Sequence, residues 1–221
     1  MSGTMQLLDR IELRRFVGRE FLLWLWLESE LFEATLETKE HGSFGLWLEG
    51  RLVLSAGQES TVIKGSAPGN HREAKESLLR GKLPDRAGIH ISWGDHESTL
   101  TLRGEQMAFA GLTLPTKLGK EEDEAPALAP PPPVRKKKKG GPRGDAPSDE
   151  AHEAFYERMH LARDVENIFQ ALYADFLALR LGPAWTETIL PALEAWVSGE
   201  AVDADRYKRA RSKHVPAGRS R

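Results

Sequence analysis

From Phe16 to Leu27 the apolar side chains of this chain do not keep to one side of a helical projection. Phe16, Leu23 and Leu27 fall near Glu20, while Phe21, Leu22, Trp24 and Leu25 fill the remaining arc. A helix that is apolar nearly all round has to be enclosed, so the pattern predicts a core helix that begins before Phe16 and reaches about Leu31. Gly18 within it lowers helix propensity by about 1 kcal/mol and predicts that another element packs close there. The uncharged run from Phe21 to Leu27 is far shorter than the roughly 20 apolar residues that a bilayer span needs, so no membrane partner is expected.

After this helix the period changes from 3.6 to two. Phe32 to Lys39 alternates loosely, and His41-Gly42 reads as a turn. Ser43 to Leu48 and Arg51 to Leu54 read as a hairpin around Glu49-Gly50, with Leu46, Leu48, Leu52 and Leu54 on one face. Thr61 to Ile63 adds a short strand. Pro68-Gly69-Asn70 then breaks the chain, Asn70 is placed to cap a helix from His71 to about Arg80, and Gly81 ends it. A second set of strands follows at Gly88 to Trp93, Ser98 to Arg103 and Gln106 to Leu114, with turns at Gly94-Asp95 and Gly104. Each has one apolar and one polar side, as Ile89, Ile91 and Trp93 illustrate, which predicts an antiparallel sheet. There is no regular strand-helix-strand alternation of the doubly wound kind.

Between Pro115 and Ser148 the pattern dissolves into an acidic run, a run of prolines and a basic run, a composition that cannot bury enough apolar surface to offset its ordering entropy. Beyond it, Phe155, Met159, Val165, Phe169, Leu172, Phe176 and Leu179 mark a long amphipathic helix over 149–181, capped by Ser148 or Asp149 and stopped by Gly182-Pro183. A second helix, from Ala184 to about Val197, carries Trp185, Ile189, Leu193 and Trp196, and Pro191 should kink or divide it. The reading is therefore an α+β fold, an antiparallel sheet packed on a hydrophobic N-terminal helix, with a C-terminal helical pair after a disordered linker. Its divisions are a body over residues 1–115, a Pro/Lys-rich linker over 116–148, a helical module over 149–198 and a basic tail over 199–221.

Composition changes this picture in two ways. The 221 residues include no cysteine, which excludes disulfides, thiolate catalysis and Cys-ligated metal centres. The net charge of −2 is also segregated: residues 134–143 carry +6 and residues 206–221 carry +7, leaving −15 on the remainder. A polyanion would be repelled by such a body and attracted by its basic segments. The first residues have no signal-peptide core, and a cytoplasmic protein is the expectation.

No local motif carries chemistry. Gly81-Lys82 lacks the upstream glycine and downstream hydroxyl of a phosphate loop, and no glycine-flanked serine forms a nucleophile elbow. His90 and His96 flank a predicted turn and could be metal ligands, but turn residues account for them as well. Glu157 and His160 have the spacing of a di-iron pair without the second pair such sites require. No catalytic residue, metal site or cofactor is expected, and the chain does not read as an enzyme. Trp47 and Trp93 could stack on nucleic-acid bases, but Glu49 and Asp95 beside them favour packing roles. The functional candidates are the cations Arg135, Lys136, Lys137, Lys138, Lys139 and Arg143, together with Arg206, Lys208, Arg209, Arg211 and Lys213. Dense positive charge of this kind releases condensed counterions from nucleic acid.

The segment Val17-Gly18-Arg19-Glu20-Phe21-Leu22-Leu23-Trp24-Leu25-Trp26 resembles the Gly-Arg-Glu-Phe-Leu-x-Trp-Leu-Trp stretch of bacterial RdgC-type recombination-associated proteins. Phe176 to Leu181 followed by Trp185 is similar to a helical segment near their C-terminus. The resemblance spans both folded parts and skips the linker, and its motifs are mostly core positions. It implies non-catalytic, sequence-independent DNA binding linked to recombination, by a dimer that encircles duplex DNA. No DNA-contacting residue is transferred by motif. DNA is the expected partner, with a homodimer left open and a nucleoid-associated location if DNA is bound. The alternative is a protein-interaction or scaffold module whose basic tails solubilise it.

Overall fold

The computed structural model describes residues 18–105, 108–114 and 149–214. Phe16 and Val17, the linker over 116–148 with the candidate cations Arg135, Lys136 to Lys139 and Arg143, and the chain after His214 lie outside the described residues. The first helix, α1, occupies 18–31, and Phe21, Leu22, Trp24, Leu25, Trp26 and Leu27 on it are all at most 2% exposed. Gly18, at its start, is buried. The enclosing surfaces are a sheet on one side and the C-terminal helices on the other.

The sheet comprises β1 (Thr35–Thr38), β2 (Gly42–Ala56), β3 (Glu59–Gly65), β4 (Leu83–Trp93), β5 (His96–Arg103) and β6 (Ala108–Thr113), all paired antiparallel. Its order is β1-β2-β4-β5-β6, with β3 also on β2. Leu36, Phe44, Leu46, Leu48, Leu52, Leu54, Ile63, Ile89, Ile91, Leu100 and Leu102 point inward and join α1 in a single core.

The expected hairpin at Glu49-Gly50 is not formed: the chain continues through it as one long strand. Leu48 pairs with Ile89 and Leu52 with Ala87, so Glu49, Gly50 and Arg51 bulge out opposite Gly88. Gly50 takes a φ of 76°, and a Cβ at Gly88 would collide with the Glu49 carbonyl oxygen. Two glycines thus let the strand bend without reversing, and the leucine alternation keeps its face across the bulge. The reversal comes instead at Gly57-Gln58, between Ala56 and its partner Glu59, with Gly57 at a φ of 57°.

Between β3 and β4, a 3-10 turn at Pro68–Asn70 leads into α2 (Arg72–Leu79). Asn70 lies in that turn and His71 occupies the N-cap position without a side-chain cap, so the expected Asn70 cap is not made. Gly81 ends the helix at a φ of 81°, as its sequence position suggests.

Helix α3 (Asp149–Arg180) is followed by a π-helical turn at Trp185–Ile189, then α4 (Leu190–Ser198) and α5 (Ala204–His214). Pro191 sits in the first turn of α4 and marks the division. These helices share the core with α1 and the sheet. Phe176 packs against Phe21 and Trp24 at ring distances of 5.5 and 5.6 Å, and Phe169 meets Phe109 of β6 at 5.3 Å. Arg180 Nε donates to Glu20 Oε2 at 2.6 Å, tying α3 to α1.

Candidate nucleic-acid interface

Residues 204–214 form a packed helix where the sequence reads a basic tail. Asp203 starts it by accepting a hydrogen bond from the Arg206 amide at 2.9 Å, an N-cap to the third helical residue. Tyr207 then inserts fully into the core, its ring 5.9 Å from Phe32. One turn later Arg211 Nε approaches Glu28 Oε2 at 3.2 Å, and Arg211 Nη2 donates to the Glu37 carbonyl at 3.1 Å. Tyr207 and Arg211 are four residues apart and share a face, which fixes how α5 is rotated.

That rotation sorts the sequence-derived cations. Arg206, Arg209 and Lys213 lie at i, i+3 and i+7 on the side away from Tyr207, and all three are exposed. Arg206 is also held at its tip, since its Nη2 donates to the Glu187 carbonyl at 2.9 Å. Pro191, four residues after Glu187, has no N–H to offer that carbonyl. Lys208 lies over the Phe32 ring at 5.2 Å, beside the core. Arg211 faces inward as an internal ion pair, which corrects its reading as a surface contact.

The anchor of α5 is electrostatically unusual. Glu28 is wholly buried, and among the described residues neither carboxylate oxygen has a hydrogen bond of good geometry, although the Tyr207 hydroxyl lies beside it. Burial pushes its carboxyl up to about 7, against the opposing pull of Arg211. Burial likewise raises Asp175 on α3, and raises the Tyr207 phenol well above its ordinary range, with Glu28 adding to the latter effect. An open depression of about 820 Å³ between α5 and β1 is lined by Lys208 and Arg211 but also by Glu37 and Asp175, so it offers no single sign of charge.

The other sequence candidates resolve into packing. His90 Nδ1 lies 2.8 Å from Glu49 Oε2, and its ring stacks on Trp47 at 4.0 Å. His96 instead tilts against Trp93, which packs on the core. Glu157 and His160 are exposed on α3, and among the described residues no group of three His, Cys, Asp or Glu side chains is placed to hold a metal ion. No described helix is long and apolar enough to cross a membrane. No family model, curated protein or solved structure matches the chain.

Proposed function

We propose that the protein binds DNA non-catalytically and without sequence preference, in a role linked to recombination. The observation that carries this reading is the outward stripe Arg206, Arg209 and Lys213 on a helix whose opposite face is locked into the core. Cations on a docked helix meet phosphates without the ordering cost of a free tail, and phosphate contacts carry no base information. The linker cations Arg135, Lys136, Lys137, Lys138, Lys139 and Arg143 would add attraction near the acidic body. The resemblance to RdgC-type proteins points the same way, through core positions such as Phe21, Trp24 and Phe176.

The test is duplex binding across a salt series. Affinity should fall steeply with salt and vary little with sequence. Replacing Lys136 to Lys139 by alanine should weaken all sequences alike and reduce the log–log slope by up to about 3.6, at roughly 0.9 per phosphate neutralised. Arg209→Ala with Lys213→Ala should reduce it by up to about 1.8 on the same basis. A parent protein that does not retain duplex DNA at about 50 mM salt, where non-specific binding is strong, would overturn the reading.

The alternative of a protein-interaction module is favoured by one feature. Phe155, Tyr156 and Met159, near the start of α3, are 57%, 62% and 56% exposed, an apolar cluster of the kind that marks contact surfaces. Loss of a protein partner, with salt-sensitive DNA retention absent, would decide for that reading.

A further inference from the structure

The sheet has an outer face opposite α1, and the described helices all contribute to the inner-face core. Trp47, Val53, Arg86, His90, Thr99, Thr101 and Arg103 belong to the outer face, and none of them is buried. Its charges are invisible as a group in the sequence because they come from four strands.

Strand register collects them. Arg51 of β2 stands directly opposite Lys64 of β3, and Arg86 of β4 directly opposite Arg103 of β5. The two pairs adjoin, because Arg86 is also opposite Val53, two residues along β2 from Arg51. Val53 in turn faces Val62 of β3, which is 44% exposed. Like charges directly opposite one another on a sheet are destabilising, and here two such pairs lie side by side. Among the described residues none of the four cations is paired with a carboxylate. Arg103 Nε is buried, yet has no hydrogen-bond partner there. The carboxylates nearest on this face are turned to His90: Glu49, two residues before Arg51 on β2, and Glu97 of β5 have their Oε2 atoms 2.8 and 3.7 Å from its ring nitrogens.

We infer that this end of the outer face is a binding surface for single-stranded nucleic acid. The four cations supply phosphate contacts across β3, β2, β4 and β5, and Val53 and Val62 supply an apolar floor between them. A duplex presents its phosphates with its base faces stacked away, whereas a single strand brings phosphates and free base faces together, which is what this combination fits. The inference rests on the nucleic-acid reading of the protein but places a second surface on it, separate from α5.

The experiment measures binding of the full chain to a fluorescent oligothymidylate of about 20 nucleotides, and separately to a duplex of the same length, across salt. Arg51→Ala with Lys64→Ala, at two exposed positions, should weaken the oligothymidylate and lower its salt slope by up to about 1.4, at roughly 0.7 per phosphate on a single strand. Arg86→Ala with Arg103→Ala should do the same, and both variants should keep or raise the melting temperature because a like-charge pair is removed. Duplex binding should respond instead to Arg209→Ala with Lys213→Ala. Unchanged oligothymidylate binding in both sheet variants overturns the surface while leaving the α5 reading intact. Loss of the parent's duplex binding alone, with the oligothymidylate still held through the sheet, overturns only the α5 reading. If polyglutamate competes as well as the oligothymidylate at equal charge, the face is a general anion surface and the single-strand assignment falls.

Discussion

Two glutamates on α1, Glu28 and Glu30, each tie the central helix to a C-terminal helix, and they do so in opposite ways. Glu30 is fully served: Trp26 Nε1 and Trp196 Nε1 donate to its two oxygens at 2.6 and 2.7 Å, and Lys75 Nζ adds a third contact at 3.0 Å. The two indoles meet edge to face at 4.9 Å, so α1, α2 and α4 converge on one satisfied carboxylate. Glu28 is more deeply buried and less well served, with Arg211 of α5 as its charged partner at 3.2 Å. The same side chain, two residues apart, thus makes a staple in one direction and a proton-sensitive latch in the other. Burial comes first in separating the two: Glu28 has no exposed surface, while the Glu30 side chain is 24% exposed and its oxygens are held by two indole N–H donors.

The largest effect should come from breaking the staple at its aromatic end. Trp196→Ala removes a nearly buried indole, its edge contact with Trp26 and a donor to Glu30, and should destabilise by about 3–5 kcal/mol. Urea unfolding at pH 7 measures it. A loss no larger than about 1 kcal/mol, the scale of one hydrogen bond, would mean that the indole pair is not what holds α4 to α1.

Breaking the latch should look different. Arg211→Met leaves Glu28 buried without its cation, and at pH 8 should cost about 2.5 kcal/mol, the loss of one hydrogen bond plus about 1.4 kcal/mol for driving a proton onto a carboxyl near 7. At pH 5 the carboxyl already carries its proton, so the cost should shrink to about 1 kcal/mol, the scale of one lost hydrogen bond to the Glu37 carbonyl. Equal losses at both pH values would show that Arg211 acts by packing alone.

Glu28→Gln asks the converse question. A carboxyl raised from 4.5 to about 7 in the fold makes the folded protein bind its proton more tightly than the unfolded chain does. Its stabilising contribution is therefore complete below about 4.5 and is lost as pH rises through about 7. The amide imitates the protonated form at every pH, so the variant should match the parent near pH 4 and exceed it by about 3 kcal/mol at pH 8. Asp175, also raised, remains in both proteins, so the difference between them isolates Glu28.

Much of this arrangement could be read from the sequence, but not this contrast. The all-round apolar helix and the leucine alternation fix their own partners, because a one-residue slip would turn Leu46, Leu52 or Ile89 to water. Glu49-Gly50 misled because glycine serves a bulge as well as a turn, and Pro84 hid the first half of β4. Residues 204–214 read as a tail because cations outnumber apolar residues there; one buried Tyr207 suffices to dock the helix when Glu28 awaits its Arg211. Arg51, Lys64, Arg86 and Arg103 are far apart in sequence, and only strand register brings them together. Alternation in single strands predicts a face but not which strands share an edge.

The smallest effect should come from the cation of the staple. Lys75→Met removes the ammonium that contacts Glu30 Oε2 and lies 4.5 Å from the Trp196 ring centroid, while the thioether preserves the apolar stem. Lys75 is 31% exposed, so water can replace much of what is lost, and the two indole N–H groups still hold the carboxylate. The expected loss is about 0.5–1 kcal/mol, within the range of a partly exposed ion pair, and it should decline as salt screens the contact. Set beside Arg211→Met at pH 8, that makes a several-fold difference between two substitutions that each remove one cation from one glutamate. A Lys75 loss as large as the Arg211 loss would mean that the indoles position Glu30 without stabilising its charge, and that both glutamates depend on their cations alike.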